Sequence, residues 1–400
     1  MGWTNWTRKA PTPSVTSDTW LGMDLNSSRL RVMVGDGQRV ARPVVLDEPR
    51  EEFALAAAFL GRTPEFGATA RAIERHLPHV FVTDFLKDVN RPLRIEIGRH
   101  RLTAADLLAA ILQRARALCP RISSVTAVVP PYLTNQKVTI VGELLDRYQF
   151  PLRGSVSSPL ALVATSELPE RRPCHIVVVD CDVHALSISL VQIETRQARL
   201  LHCATFPRLN LRVWKDRLLA GMSDRCVRVC RRDPRDSGAT EQALFDQLDH
   251  AMAAARDGQA VEITVRSSHW YQTLRQAPDE LANYCSPLVK ATLAALTEIT
   301  TANLSDPPSA IWLTDAAGQL PGLVGTLETH SAERTSIVLL PADAGCRAAL
   351  LLTNRWSRED LPRAHRELVI SLPEEPIRDG TPSIFRTPNA PPVPRVRKER

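Results

Sequence analysis

Two stretches of this chain repeat one pattern, and the repeat limits the folds open to it. Leu21-Gly22-Met23-Asp24-Leu25-Asn26-Ser27-Ser28 leads into Leu30-Arg31-Val32-Met33-Val34. Val178-Val179-Asp180-Cys181-Asp182-Val183-His184 leads into Leu186-Ser187-Ile188-Ser189-Leu190. Each is an apolar strand, an Asp at its end, a short polar turn and a second strand of period two. Asp24 and Asp180 stand 156 residues apart. The repeat predicts a duplicated, two-lobed fold with both turns facing one cleft. An Asp at a hairpin turn also serves a purely structural end, because its side chain bonds the local backbone.

The rest of the chain reads as alternating strands and helices, an α/β pattern. Thr103 with Asp106 predicts a helix start, followed by an apolar face of Leu107, Leu108, Ile111, Leu112, Ala115 and Leu118. Buried strands are predicted at Val125–Val129 and Ile176–Val179. Helices are predicted from Asn135 to about Tyr148 and over Glu241–Arg256, with a strand at Ala260–Val265 after the latter. A chain of 400 residues exceeds one ordinary core, so two or three domains or lobes are expected. Residues 1–19 read as a polar tail carrying Trp3 and Trp6. The stretch from Pro373 on, rich in Pro and Arg, reads as disordered.

Composition narrows the function. No apolar run approaches the roughly 20 residues that span a bilayer, and the first residues lack a signal-peptide core. The expectation is a cytoplasmic protein with no membrane partner. Net charge is +6 and pI about 9.0. The densest basic stretch, Arg225–Arg235, has no aromatic residue interleaved. It reads as a solvated helix face rather than a platform for nucleic acid. Of eight cysteines none forms a C-x-x-C pair. Cys226 and Cys230 share a helix face, but two ligands do not make a zinc site, so free thiols are expected.

Several motifs resemble those of one family. Leu21–Ser28 resembles the first phosphate loop of the actin-like ATPase superfamily, G-[IV]-D-[LF]-G-T-T in the heat shock protein 70 (DnaK-type) chaperones. Arg71 follows Gly67-Ala68-Thr69-Ala70 as the family's catalytic Lys follows V-G-x-x-A. Ala127–Leu133 resembles I-T-V-P-A-Y-F, and Gln136-Lys137 stands near the family's Gln-Arg. Ser157–Ala164 looks like a changed N-E-P-x-A-A-A-L-A. Ile311–Pro321 resembles the adenosine motif V-x-L-V-G-G-x-x-R-x-P, and Asp343–Leu350 the closing helix E-A-V-A-x-G-A-A. Each motif is short, and their order over about residues 20–352 carries the likeness. The resemblance implies a two-lobed actin-like ATPase fold, with duplicated ribonuclease-H-like domains around a central cleft. On that plan lobe I is 20–155, lobe II is 156–340, and 341–372 holds the closing helix returning to lobe I and a C-terminal segment. The proline-rich tail is 373–400.

The resemblance also implies ATP and Mg²⁺ in the cleft. Asp24 and Asp180 would hold the hydrated metal through water, as carboxylates suit Mg²⁺. Arg71 and Asp180 are the catalytic candidates. Asp24, Asn26, Ser27, Ser28, Asp315 and Ala316 are the nucleotide-binding candidates. The departures argue against that chemistry. Asn26 replaces a family Gly. The second loop, D-L-G-G-G-T-F-D in the family, reads Asp180-Cys181-Asp182-Val183-His184-Ala185-Leu186-Ser187. Every glycine that lets backbone N–H groups approach phosphate is gone, and Asp182 sets a negative charge where phosphate oxygens would lie. His184 offers a new ligand or base. Ser158 replaces the family Glu, Asp315-Ala316 replace Gly-Gly, and Phe206–Arg212 lacks the glycines of G-G-E-D-F-D.

The expectation is a DnaK-like nucleotide-binding-domain protein that is a pseudo-ATPase, acting with a protein partner in regulation, scaffolding or chaperone-related binding. The 28 residues after position 372 leave no room for a peptide-binding β-sandwich. The alternatives are a slow but active chaperone-type ATPase, and an actin-like filament or cell-division protein.

Overall fold

The structure is a computed structural model. It describes residues 19–35, 41–119, 121–164, 173–195, 197–356, 366–367 and 369–371. The two predicted tails lie outside these residues, apart from position 19. The chain runs through β1 (Trp20–Leu25) and back along β2 (Arg29–Gly35), which pairs with β3 (Arg42–Pro43) and β4 (Glu52–Ala54). β5 (Ala56–Ala58), β6 (Glu65–Phe66) and β7 (Phe81–Thr83) form a small sheet beside the short helix α1 (Ala68–Arg71). The hairpin β8 (Ile95–Ile97) and β9 (His100–Leu102) precedes α2 (Ala104–Leu118). Thr103 and Asp106 cap that helix reciprocally, with bonds of 2.8 and 3.2 Å. Its predicted face is buried through Ala115, while Leu118 is exposed. Then come β10 (Ser124–Val129), α3 (Asn135–Arg147), β11 (Leu152–Ser157) and α4 (Ser158–Val163).

The second half repeats the plan. β12 (Cys174–Cys181) turns back into β13 (Leu186–Ile193) and β14 (Gln197–Phe206). α5 (Leu211–Cys230), α6 (Gly238–Phe245), α7 (Leu248–Arg256), β15 (Val261–Arg266), β16 (Tyr271–Gln276) and α8 (Pro278–Asn303) form a large insertion. β17 (Ala310–Leu313), α9 (Asp315–Gly318), α10 (Leu323–His330) and β18 (Ser336–Leu339) complete the unit. The predicted single helix over Glu241–Arg256 is in fact α6 and α7, broken at Asp246–Gln247. The Gln247 side chain donates to Ala243 O (2.7 Å) and Thr264 O (2.9 Å) and accepts from Thr264 N (3.0 Å). It serves the backbone of β15, and the helix bends around it.

The two large sheets have matching topology. In one, β2 is antiparallel to β1, and β10 and β11 follow on β1's other side in parallel. In the other, β13 is antiparallel to β12, and β17 and β18 follow in parallel. The fold is mixed α/β, and the hairpin repeat seen in the sequence is a repeat of topology. The residue 155/156 boundary expected between lobes falls inside β11. Each half has its own apolar core. A third core joins them, with Val128, Val156, Leu160, Val178 and Trp312 around α11 (Ala344–Trp356). Beyond it, β19 (Arg366–Glu367) pairs with β11 and β20 (Val369–Ser371) with β14. Among the described residues no helix is long and apolar enough to cross a membrane.

α11 packs on β1, β2 and β10. Its small residues allow the approach, Ala348 and Ala349 being fully buried. So does Gly22, where a Cβ would lie 2.2 Å from Cys346 O and 2.9 Å from Leu350 N. Gly22→Ala must push helix from strand and should destabilise the fold by roughly 1–3 kcal/mol or more. Gly35→Ala, whose Cβ would sit 3.7 Å from a Leu350 methyl, should be close to neutral. Denaturant unfolding of both variants measures the contrast.

Candidate functional site

The site is built where the two repeated turns meet. In the first, Asn26 Oδ1 accepts from Ser28 N (2.9 Å) and Arg29 N (3.0 Å). In the second, Asp182 Oδ1 accepts from His184 N (2.8 Å) and Ala185 N (3.0 Å). Asn26 and Asp182 each stand two residues after the strand-end Asp and do the same local work. Asp182 does more. Its Oδ2 accepts from Ser27 N of the first turn at 3.0 Å and from the Tyr132 hydroxyl. The Tyr132 oxygen in turn accepts from Ser27 Oγ (2.8 Å), and Ser28 Oγ accepts from Val183 N (3.0 Å). The hairpins therefore bond directly to each other, and the negative charge expected at Asp182 is satisfied from both sides.

Burial pushes the Asp182 carboxyl up to about 6 from 3.8, with the Tyr132 hydroxyl and the Ala185 and Ser27 amides opposing. Burial also pushes the Tyr132 phenol well above its ordinary range, with Asp182 adding to the rise. His184, the offered ligand or base, is held by Asp84, its Nδ1 3.2 Å from Oδ1. Its ring meets that of Tyr132 edge-on at 4.7 Å.

The sequence-predicted residues fall on two sides of this junction. Asp24, Asn26, Asp180 and Asp315 line one cavity of about 30 Å³, together with Arg29, Ser158 and Thr314. Asp24, at the end of β1, has Arg29 Nη2 3.8 Å from its Oδ2. Burial pushes its carboxyl up, against Arg29 and Arg31. Asp180 Oδ1 accepts from Thr314 Oγ1 (2.7 Å) and Cys181 N (2.9 Å). Asp315 is bonded by Arg256 Nη1 (3.0 Å) and Gln319 Nε2 (2.9 Å), and Ala316 sits beside it in α9. Arg71 and Ser28 line the opposite cavity, of about 40 Å³, with Glu74, Val183 and Lys215. Arg71 is not aimed at the carboxylates, because its Nη2 lies 3.6 Å from Asp249 Oδ2 on α7.

A second set of contacts closes the far side of the junction. Arg75 N donates to Gln242 Oε1 (2.6 Å), and Gln242 Nε2 donates to Arg71 O (3.2 Å). The Arg75 guanidinium pairs with Asp216 and lies 4.3 Å over the Phe245 ring. These bonds tie the α1 region to α5 and α6.

As it stands, the site does not fit a nucleoside triphosphate with its metal. Pockets for ligands of drug size run to about 300 Å³ or more, whereas a cavity of about 30 Å³ holds a water or two. The Ser27 amide, a donor for a phosphate oxygen, is already given to Asp182. Arg29, rather than an ion, is the cation facing Asp24. A cavity of about 360 Å³ lies between α8 and α10, and no predicted site residue lines it.

Sequence reading missed Arg29, Arg75, Gln242 and Asp249, which carry no motif. Tyr132 was visible only as part of the Pro130-Pro131-Tyr132 likeness. No protein-family model matches this chain. No curated protein matches it either.

The sign of the Asp182 effect is opposite to that of an ordinary salt bridge. A carboxyl whose pKa is raised on folding binds its proton more tightly in the folded state, so its contribution falls as pH rises from about 4 to about 6. Across that window the wild type should lose roughly 3 kcal/mol relative to Asp182→Asn, by denaturant unfolding at each pH. Tyr132→Phe removes the main opposing donor and should move the window upward.

Proposed function

We propose that this chain is a degenerate relative of the DnaK-type chaperone ATPases, with their two-lobed, actin-like fold, and that it works as a cytoplasmic binding or scaffolding protein rather than an ATPase. The matching topology of the two sheets supports the duplicated ribonuclease-H-like plan, as does the return of α11 to the first sheet. The observation that carries the functional reading is the Asp182 carboxylate. It sits between the two turns, on the Ser27 amide and the Tyr132 hydroxyl, where the family resemblance calls for phosphate. Arg29 beside Asp24 supplies the positive charge that Mg²⁺ would bring. The chain thus furnishes both halves of its own ligand, an anion and a cation. ATP bound with its metal would supply, in the family, a transferable phosphoryl group; here the same donors hold the lobes shut. A protein partner is then recognised by the outer surface of a closed body.

One observation favours a slow ATPase instead: Asp24 and Asp180 line the same cavity. The readings separate on two measurements. Titration calorimetry with millimolar ATP and Mg²⁺ should give no binding heat for the wild type, and tight binding with turnover would overturn the proposal. Phosphate release should stay at background and be unchanged by Asp24→Ala or Asp180→Ala. An ATPase would lose it in both.

A further inference from the structure

The six-stranded sheet ends on β18, and among the described residues that edge is bare. β18 runs parallel to β17, with Ile311 opposite Ile337. Ser336 N donates to Ser309 O (3.1 Å) and Leu340 N to Leu313 O (2.8 Å). Backbone groups alternate sides along a strand, so residues 336, 338 and 340 face β17. The N–H and C=O groups of Ile337 and Leu339 face outward, with no partner among the described residues. The opposite edge of this sheet is covered by β20, and β19 and β3 flank the other large sheet. Open edges are normally blunted by a charge, a proline or a bulge. β18 reads Ser336-Ile337-Val338-Leu339 and has none of these, and Leu339 is 39% exposed.

We propose that β18 pairs antiparallel with β18 of a second copy of this chain, about a two-fold axis through Val338. That register sets Ile337 opposite Leu339 of the other copy and Leu339 opposite its Ile337. These are the residues whose groups face outward, so four N–H···O bonds close, and the two Val338 residues meet as the non-bonded pair between them. A slip of one residue sets outward groups against inward ones. A slip of two residues brings in Pro341, which has no N–H, or Thr335, whose N–H is held by Ala332 O at 2.8 Å. The edge is therefore complementary to itself in one register, which is what selects a second copy over an arbitrary strand. The contact is isologous and closes as a dimer, so it cannot by itself propagate a filament. Two six-stranded sheets become one continuous sheet across the axis.

The test is sedimentation velocity from low to high micromolar protein, with amide hydrogen exchange followed across the same range. The expected result is a monomer–dimer equilibrium in which exchange at Ile337 and Leu339 slows as dimer forms. Val338, facing β17, should be slow throughout. Leu339→Lys puts two like charges on diagonal neighbours across the axis and should weaken the dimer by about tenfold or more. Leu339 is exposed, so circular dichroism should show the fold retained. A chain monomeric at every concentration overturns the proposal. So does a dimer in which Ile337 and Leu339 exchange as fast as in the monomer. Protection of both amides that is independent of concentration would place a segment of the same chain on the edge, and overturns it too.

Discussion

One carboxylate is shared between the two repeated turns, and the closed arrangement depends on it. The turns are built alike, yet Asn26 and Asp182 are not equivalent as acceptors. Asn26 has one acceptor oxygen, spent on its own turn; its amide nitrogen only donates. Asp182 has two oxygens, so one closes its own turn and the other reaches the opposite turn. The two matching turns thus become unlike through a single side-chain difference. The four donors around Asp182 do not fully offset its burial, which is why its pKa rises although a carboxylate accepting several N–H bonds ordinarily titrates low. With its carboxyl at about 6, Asp182 is still mostly ionised at neutral pH.

Charge balance extends outward from that point. Asp24 and Asp182 are buried near Asp180, whose charge adds to the cost of ionising both. In a metalloenzyme a divalent cation would absorb this repulsion. Here the half-buried guanidinium of Arg29 lies between Asp24 and Glu52 (3.8 and 3.5 Å), and Arg256 takes Asp315. Arginine suits this role because it stays charged when buried and reaches two carboxylates at once. The protein therefore satisfies its acidic cluster from the same strands and helices that carry it.

How much of this was legible depended on how local each feature is. The paired hairpins were readable because a strand, an Asp and a polar turn follow one another directly in sequence. The charge at Asp182 was readable for the same reason, as an acid in the polar turn that directly follows Asp180. The cross-bonds were not, since Ser27 and Asp182 are 155 positions apart and nothing in either turn specifies the other as its partner. Arg71 shows the opposite error. Its position after Gly67–Ala70 suggested a cleft cation, but the side chain follows α1 away from the carboxylates and toward Asp249. The break between α6 and α7 was hidden because apolar periodicity continues across it, while a side-chain amide at Gln247 decides the bend.

On the proposed reading, the bonds between the two turns do more than take up room. A nucleotide arriving from solution competes with groups already tethered in place, and a tethered group acts at a high effective concentration with little entropy left to lose. Displacing Asp182 would strand a buried carboxylate among Asp180 and Asp24 and would separate Ser28 from Val183. It would leave the Arg75–Gln242–Phe245 contacts on the far side still intact. Opening therefore requires several unlike interactions to fail together, and binding energy from one phosphate contact is small against that sum. Restoring a glycine at position 182 alone would free the Ser27 amide without widening the cleft, because Arg29 and the Asp315–Arg256 pair still occupy the walls. On the proposed reading, a second turn without glycine and the bonds between the turns reinforce each other, and a surface outside the cleft is where such a body has freedom to bind.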